Sequence, residues 1–263
     1  MQIQLSKNSE EGSDRVASLI LALLRKKPAA VLGLATGSTP IAVYRHLIDA
    51  CRRGDADFSQ VHTFNLDEYL DLPPDHPQSY RHFMNEHLFH GTNIPRENVH
   101  FPPSEGDNLL QRCTEYEDLI RAVGGIDIQL LGIGSNGHIG FNEPTSSLFS
   151  RTRIKTLTEK TLADNSRFYD GEEEQPRIAV TMGIGTILDA RTILLQAFGE
   201  RKAEAIHATV EGPVSGLCPG SALQLHSDAT LFLDPTASSL LSLRSYYQQA
   251  QEEEERLRRD GRL

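Results

Sequence analysis

The chain of 263 residues has a formal net charge of −10, and 24% of its residues are charged against 38% hydrophobic. This composition excludes a wholly disordered chain, and the acidic balance argues against binding to nucleic acid or to an anionic membrane. An anionic small molecule is still compatible, because a local cluster of cations and helix N-termini can outweigh the mean charge. The three cysteines do not suggest a disulfide framework. The polar N-terminus and the lack of a long apolar run predict a cytoplasmic protein.

Short apolar segments alternate with amphipathic ones along the chain. The segments expected to form strands are AAVLGLA (29–35), VHTFNL (61–66), IDIQLLGIG (126–134), RIAVTMGIG (177–185), RTILLQAFG (191–199) and ATLFLD (229–234). The helices are expected at about 40–51, 79–89, 108–123 and 200–210, with a charged helical tail at about 236–263. We predict one Rossmann-like α/β domain over residues 1–263, with a mainly parallel sheet covered by helices on both faces.

Four polar segments follow predicted strands and mark one edge of the expected sheet. They are ATGSTP (35–40), FNLDEY (64–69), GIGSNGHIGFNEP (132–144) and MGIGT (182–186). In an open α/β sheet, ligands bind beyond the carboxyl ends of the strands. We therefore expect these four segments to surround one site.

The third segment contains G-x-G-x-x-G at Gly132, Gly134 and Gly137, the spacing of a dinucleotide-binding turn. Such a turn should open a helix, yet Gly140 and Pro144 follow closely, and a helix interior tolerates proline poorly. The pattern disfavours a nicotinamide site. It favours a loop whose glycines let a ligand approach the backbone.

His138 and Glu143, in the same loop, favour acid–base catalysis over a structural histidine that caps a turn. The unperturbed pKa of histidine is about 6.5, and a neighbouring carboxylate can hold the ring in one tautomer. A metal site is disfavoured because no second His or Cys stands nearby at ligand spacing. Asp67 and Glu68 directly follow a strand, and three roles stay open for them: metal ligand, catalytic base or cap of the next helix.

The segment ATGSTP offers hydroxyls and backbone N–H groups before a helix, which is typical of an anion site. It is not a P-loop, because the G-K-[ST] ending is absent. Lys202 begins another helix after a strand, where it is either solvated or able to reach the same anion.

Together, FNLDEY, GHIGFNEP, SSLFSRTRIKTLT (146–158), NSRFYD (165–170) and LQLH (223–226) resemble the glucosamine-6-phosphate deaminase family, within the sugar-phosphate isomerases and 6-phosphogluconolactonases. The similarity runs in order from about Val31 to Asp234. It implies a hydrolase acting on a carbon–nitrogen bond, which converts D-glucosamine 6-phosphate and water into D-fructose 6-phosphate and ammonia in amino sugar catabolism. The resemblance implies neither a metal nor an organic cofactor.

The resemblance also implies roles for particular residues. The catalytic residues would be Asp67, Asn136, His138 and Glu143. The substrate phosphate would be bound by Thr36, Gly37, Ser38, Thr39, Arg167 and Lys202. Some family members carry Asp at the position of Asn136, and a neutral amide adds no charge beside His138, which affects the expected pH profile.

A second site is implied by the same resemblance. In regulated members, N-acetylglucosamine 6-phosphate binds as an activator at a subunit interface of a hexamer. The corresponding residues here are Ser146, Arg153, Lys155 and Thr156, and the protein would then be a homo-oligomer. The alternative is an ordinary exposed basic strand.

Two other functions compete with deamination: a 6-phosphogluconolactonase, in which the DEY carboxylates have no evident task, and a sugar-phosphate sensor without turnover.

Overall fold

The computed structural model describes residues 1–165 and 175–262. Two sheets organise this part of the chain. The strands are β1 Gln2–Leu5, β2 Val31–Leu34, β3 His62–Asn65, β4 Asp67–Tyr69, β5 Val99–His100, β6 Ile128–Leu131, β7 Arg153–Thr156, β8 Ile178–Thr181, β9 Thr192–Ala197 and β10 Ala229–Leu233. Seven of them form a sheet in the order β1-β10-β9-β6-β2-β3-β5, in which every neighbouring pair is parallel. The predicted mainly parallel sheet is confirmed.

The remaining three strands form a small antiparallel sheet in the order β4-β8-β7. The alternation of strands and helices does not predict this second sheet. Its strands are short, and β4 begins only one residue after β3 ends. The chain therefore leaves the large sheet at Leu66 and pairs directly with β8, so that Asp67 lies opposite Thr181.

Helices cover both faces of the large sheet, as predicted. They are α1 Ser9–Lys26, α2 Ile41–Arg52, α3 Tyr80–His87, α4 Leu109–Ala122, α5 Glu159–Asn165, α6 Ile184–Leu188, α7 Ala203–Val210 and α8 Arg244–Arg259. Side chains of α1, α2 and α3 pack with Leu130 and Phe232 on one face. Side chains of α4, α6 and α7 pack with Leu131 and Leu231 on the other. Successive strand residues thus enter opposite cores, as the alternation of side chains along a strand requires.

The predicted C-terminal helix forms as α8 and lies against β1 at the edge of the sheet. The Gln251 side chain accepts a hydrogen bond from Leu5 N (2.8 Å) and donates one to Leu5 O (3.3 Å). It thereby takes the place of a neighbouring strand and covers an otherwise unpaired edge. None of the described helices is both long and apolar enough to cross a membrane.

Candidate active site

A cavity of about 1040 Å³ opens at the carboxyl ends of the parallel strands. The loops after β2, β3, β6 and β9 all contribute to its wall, which is where an open α/β sheet binds ligands. The sequence-predicted residues that line it are Thr36, Gly37, Ser38, Thr39, Asp67, His138 and Lys202. Asn136 and Glu143 lie behind His138, outside this lining. Arg167 lies outside the described residues.

Asp67 is the carboxylate at the floor of the cavity. Its side chain is only 6% exposed and faces the cavity from the first residue of β4. Burial raises the pKa of Asp67 to about 8, and the charge of Glu68 adds to this, while a hydrogen bond from the Phe141 backbone N–H opposes it. A carboxyl in this state holds a proton near neutral pH, unlike an ordinary aspartic acid.

Glu68 has a different task, although it is the next residue. Its carboxylate accepts backbone N–H groups from Tyr69, Tyr80 and Arg81, each at 2.9 Å. Two of these donors belong to the first turn of α3, whose N-terminal amides have no partner within the helix. Of the roles left open by the sequence, Glu68 therefore caps a helix. Only Asp67 faces the cavity.

A hydrogen-bonded relay joins His138, Asn136 and Glu143. Asn136 Oδ1 lies 2.7 Å from His138 Nδ1 and also accepts the His138 backbone N–H at 3.2 Å. Asn136 Nδ2 donates to Glu143 Oε2 at 2.9 Å. Because the carboxylate only accepts, the amide is oriented with its oxygen towards the ring, so Nδ1 carries the proton. The other ring nitrogen, Nε2, is then free to act as a base.

Glycine is required at two points of this loop. A Cβ at Gly134 would lie 2.2 Å from His138 Cε1, and Gly137 has φ +84°, a left-handed conformation. The G-x-G-x-x-G spacing thus makes room for the imidazole and turns the chain.

Electrostatics keep His138 neutral beside an ionised Glu143. Burial lowers the pKa of His138, and the Lys202 and Lys160 charges lower it further, against the opposing charge of Glu143. Burial alone would raise the pKa of Glu143. Hydrogen bonds from Thr161, Asn136 and Thr158 instead hold it below its ordinary range.

The opposite wall of the cavity suits an anion. Residues 36–39 connect β2 to α2, and Gly37 has φ +99°, so the loop can turn its backbone N–H groups into the cavity. Lys202 approaches from the loop after β9, where its Nζ donates to Ile133 O at 2.6 Å. Arg201, which the motifs do not single out, lines the same cavity and is exposed.

The predicted regulatory residues lie elsewhere, and none of them lines the cavity. Segment 153–156 forms β7, and its alternating burial places Arg153 and Lys155 on one side, as an extended strand predicts. Arg153 Nη1 donates to Asn142 Oδ1 at 2.8 Å, and Arg153 is paired with Thr181, which is paired with Asp67. Ser146 is buried and Thr156 is exposed.

Sequence reasoning missed an aromatic wall and a threonine. Tyr69, Tyr80 and Phe141 line the cavity with ring centroids 5.0–5.7 Å apart. Thr161 of α5 is largely buried and lines the cavity beside His138, with its Oγ1 3.5 Å from Nδ1. Tyr69 could have been found from its place in DEY. No local pattern marks Thr161, since its contacts come from distant segments.

Similarity to known proteins extends over most of the chain. The family model for glucosamine-6-phosphate isomerases/6-phosphogluconolactonase matches residues 5–232. The chain belongs to this family. A protein of Shewanella woodyi described as glucosamine-6-phosphate deaminase is 55% identical over 98% of this chain and 97% of its own.

Two solved structures have the same fold. One, described as a monomeric glucosamine-6-phosphate deaminase, has a TM-score of 0.88 and 43% identity and covers 91% of this chain and 100% of its own. A 6-phosphogluconolactonase from Trypanosoma brucei has a TM-score of 0.75 and 19% identity over 92% of this chain and 98% of its own. The second likeness is one of fold alone.

Proposed function

We propose that this family member is a glucosamine-6-phosphate deaminase, converting D-glucosamine 6-phosphate and water into D-fructose 6-phosphate and ammonia. The observation that carries the proposal is that a buried carboxyl of raised pKa, Asp67, shares a cavity with a neutral, oriented His138. Relatives described as glucosamine-6-phosphate deaminases support it. The enzyme would serve amino sugar (N-acetylglucosamine) catabolism in the cytoplasm.

The first chemical step is opening of the sugar ring. The substrate is a closed pyranose, so a proton must pass from the C1 hydroxyl to the ring oxygen. With Nδ1 protonated, His138 Nε2 accepts the hydroxyl proton and then returns it to the ring oxygen as the C1–O5 bond breaks. Asn136 and Glu143 hold the tautomer and stabilise the transient imidazolium.

The second step moves a proton between carbons. The ionised fraction of Asp67 takes the proton from C2 of the open-chain sugar while the C2 ammonium gives a proton to O1, which yields a neutral enolamine. Asp67 then returns its proton to C1, which yields an iminium at C2. Water then adds at C2 and ammonia leaves. Because burial makes Asp67 a stronger base than an ordinary aspartate, it can both accept the proton and hold it until C1 receives it.

The phosphate would be bound at the opposite wall. The backbone and hydroxyls of Thr36, Gly37, Ser38 and Thr39 would receive it, with Lys202 as a point charge. Arg167 would add a bidentate contact, by resemblance alone. Arg201 lines the same cavity, and we add it as a second cation for the dianion. This local cluster accounts for an anionic substrate on an acidic protein.

One assay tests the proposal against its alternatives. Purified enzyme is given glucosamine 6-phosphate, and ammonia and fructose 6-phosphate are measured, with 6-phosphogluconolactone hydrolysis followed in parallel. We expect ammonia and fructose 6-phosphate in equal amounts. Lactone hydrolysis without ammonia release would favour the lactonase, and binding without either product would favour a sensor.

We further propose that β7 binds an activator. Arg153 and Lys155 lie on one side of the strand, and with Ser146 and Thr156 they match the site at which regulated members bind N-acetylglucosamine 6-phosphate. That site needs a neighbouring subunit, so regulation requires a homo-oligomer, a hexamer by resemblance. Phe149, 89% exposed just before β7, is an apolar side chain that such a neighbour would cover.

A further inference from the structure

The hydroxyl of Thr161 lies at the centre of the polar contacts beside His138. Thr161 is buried on α5, and its Oγ1 is 3.5 Å from His138 Nδ1. A side-chain hydrogen bond from Thr161 is also the largest of the effects that lower the pKa of Glu143. The Thr161 hydroxyl also receives the Thr158 hydroxyl at 3.2 Å. One side chain therefore touches both ends of the His138–Asn136–Glu143 relay.

The direction of these hydrogen bonds is determined by chemistry. A carboxylate accepts and does not donate, so the single Thr161 proton points at Glu143. The lone pairs of Oγ1 then face Thr158 and His138 Nδ1. Three oxygens surround Nδ1: Asn136 Oδ1 at 2.7 Å, Thr161 Oγ1 at 3.5 Å and Glu143 Oε2 at 3.7 Å. All three favour a proton on Nδ1.

The hydroxyl of Thr161 has no task in forming the helix. The cap of α5 is made by Thr158, whose Oγ1 accepts the Thr161 backbone N–H at 3.3 Å. Thr158 N also donates to Glu143 Oε1 at 3.2 Å. Removing only the Thr161 hydroxyl therefore leaves the cap in place and takes a donor from Glu143.

We propose that Thr161 is a positioning residue for ring opening: its hydroxyl helps to hold the Glu143 carboxylate and the Asn136 amide in place and keeps His138 in the Nδ1–H tautomer, which leaves Nε2 as the base. Without the hydroxyl, Glu143 loses a donor and the Nδ1–H group loses an acceptor, so the Asn136 amide is held less firmly and can rotate. The rotated amide would present its N–H₂ group to Nδ1 and favour the unproductive Nε2–H tautomer. The catalytic part of this inference rests on the proposed deaminase function.

The test compares Thr161→Val, which is nearly isosteric, with Thr161→Ser, which keeps the hydroxyl. We expect the valine variant to lose turnover by about 10- to 100-fold, part of the worth of a general base, with KM changed less than about threefold. The serine variant should stay within about threefold of the native turnover. The matched control is Thr63→Val in β3: Thr63 is buried outside the cavity, and its hydroxyl has no hydrogen-bond partner among the described residues. It should keep native turnover.

The decisive readout is the tautomer of His138, measured by nitrogen-15 NMR at a pH where the ring is neutral. The chain has 10 histidines, so the His138 signals are identified by their loss in His138→Gln. We expect Nδ1–H in the native and serine proteins and a tautomer mixture in the valine variant. A native Nε2–H tautomer would overturn the inference, and so would unchanged turnover and tautomer in Thr161→Val.

Three further outcomes are informative. Equal losses in the serine and valine variants would also overturn the inference, because the hydroxyl would then not be responsible. If Thr161→Val does not fold by circular dichroism, the native tautomer and the serine variant decide the question. If the native enzyme releases no ammonia from glucosamine 6-phosphate, the proposed function fails, whereas the NMR comparison still tests the positioning of His138.

Discussion

Asp67 and Glu68 are adjacent and chemically alike, yet their surroundings give them opposite roles. Glu68 accepts three backbone N–H groups and stabilises the start of α3. Asp67 faces the cavity, and burial makes its charged form costly. The protein thereby keeps a carboxyl that lowers its stability at the position where the proposed mechanism needs a base. Loss of stability at an active site is common in enzymes.

The first prediction concerns turnover. Asp67→Asn should lower turnover by a factor on the order of 10² to 10⁴, because the amide cannot take the C2 proton. Substrate binding should remain largely intact, since Asp67 is not among the residues proposed to bind the phosphate. Steady-state ammonia release and calorimetric binding measure the two separately. Near-native turnover in the purified variant would contradict the assignment of Asp67.

The same substitution should stabilise the fold in a pH-dependent way. The folded-state pKa of Asp67, about 8, lies above the ordinary 3.8, so the native state binds more protons between these values. The protonated Asp67 carboxyl contributes to the free energy of unfolding. This contribution is fully present below pH 3.8 and is lost as the pH rises through about 8. Asparagine mimics the protonated carboxyl at every pH. The free energy of unfolding of Asp67→Asn should therefore exceed that of the native protein by a margin that grows by about 1.4 kcal/mol per pH unit in this window.

Urea unfolding of the native and Asp67→Asn proteins at several pH values between 5.5 and 7.5 measures this difference. A gain in the free energy of unfolding that does not change with pH would argue against a raised pKa at Asp67.

His138→Gln should separate ring opening from the later chemistry. The relay holds His138 for proton transfer to the ring oxygen, a step that an open-chain substrate does not need. We therefore expect reaction from the closed pyranose to slow more than reaction from transiently supplied open-chain sugar. Rapid-mixing kinetics with both forms provide the measurement. Equal slowing would place His138 in the C2–C1 step instead.

Among the elements, β7 connects the proposed activator site to Asp67, the proposed catalytic carboxylate. In the small antiparallel sheet, Arg153 pairs with Thr181 and Thr181 pairs with Asp67. Arg153 also donates to Asn142, whose own amide donates to the Ile139 carbonyl beside His138. A ligand that shifts β7 can therefore reach both catalytic groups through one layer of contacts. Coupling further requires that it prefer the conformation that binds substrate better.

We predict that N-acetylglucosamine 6-phosphate lowers the substrate concentration at half-saturation. Coupling of about 1–3 kcal/mol would shift it roughly 5- to 150-fold. Replacing both Arg153 and Lys155 with Ala should abolish the shift. The charge-matched control replaces Arg52 and Arg53, exposed at the far end of α2. Superimposable saturation curves of the native protein with and without the acetylated sugar would refute regulation.

At the scale of the whole molecule, the oligomeric state and the edges of the large sheet can both be tested. A mass measurement in solution decides whether a neighbouring subunit exists to complete the activator site, and a strict monomer would argue against regulation. The solved structure at 43% identity is described as monomeric. The β1 edge of the large sheet is covered by the chain itself, because α8 lies against β1.

Gln251→Ala should test how much α8 stabilises that edge. Loss of both hydrogen bonds to the Leu5 backbone should lower the free energy of unfolding by about 1–2 kcal/mol. Gln248→Ala is the control, since the Gln248 amide bonds only Glu252 on the same helix among the described residues. Urea unfolding compares the two variants. Equal losses would show that the hydrogen bonds within α8, from Gln248 to Glu252 and from Gln251 to Glu255, set the effect and that the covered edge does not.

Much of the fold and the position of the candidate site can be predicted from the sequence alone. Buried apolar strands that alternate with helices predict a parallel sheet, and strand-end motifs predict a site at its carboxyl edge. Both follow from local composition, because side-chain periodicity reports which faces are buried. Asp67, His138 and Glu143 stand inside those motifs, and the family resemblance adds their separate roles and the residues Asn136 and Arg167.

The tertiary structure alone decided how neighbouring residues divide their tasks. Only the path of α3 shows that Glu68 is a cap, and only the pairing of β4 with β8 buries Asp67 facing the cavity. Thr161 reaches Glu143 because α5 folds back over the loop after β6. Such contacts join segments distant in sequence, and the pKa of a group depends on the burial and charges that these contacts create. Local periodicity carries no information about them.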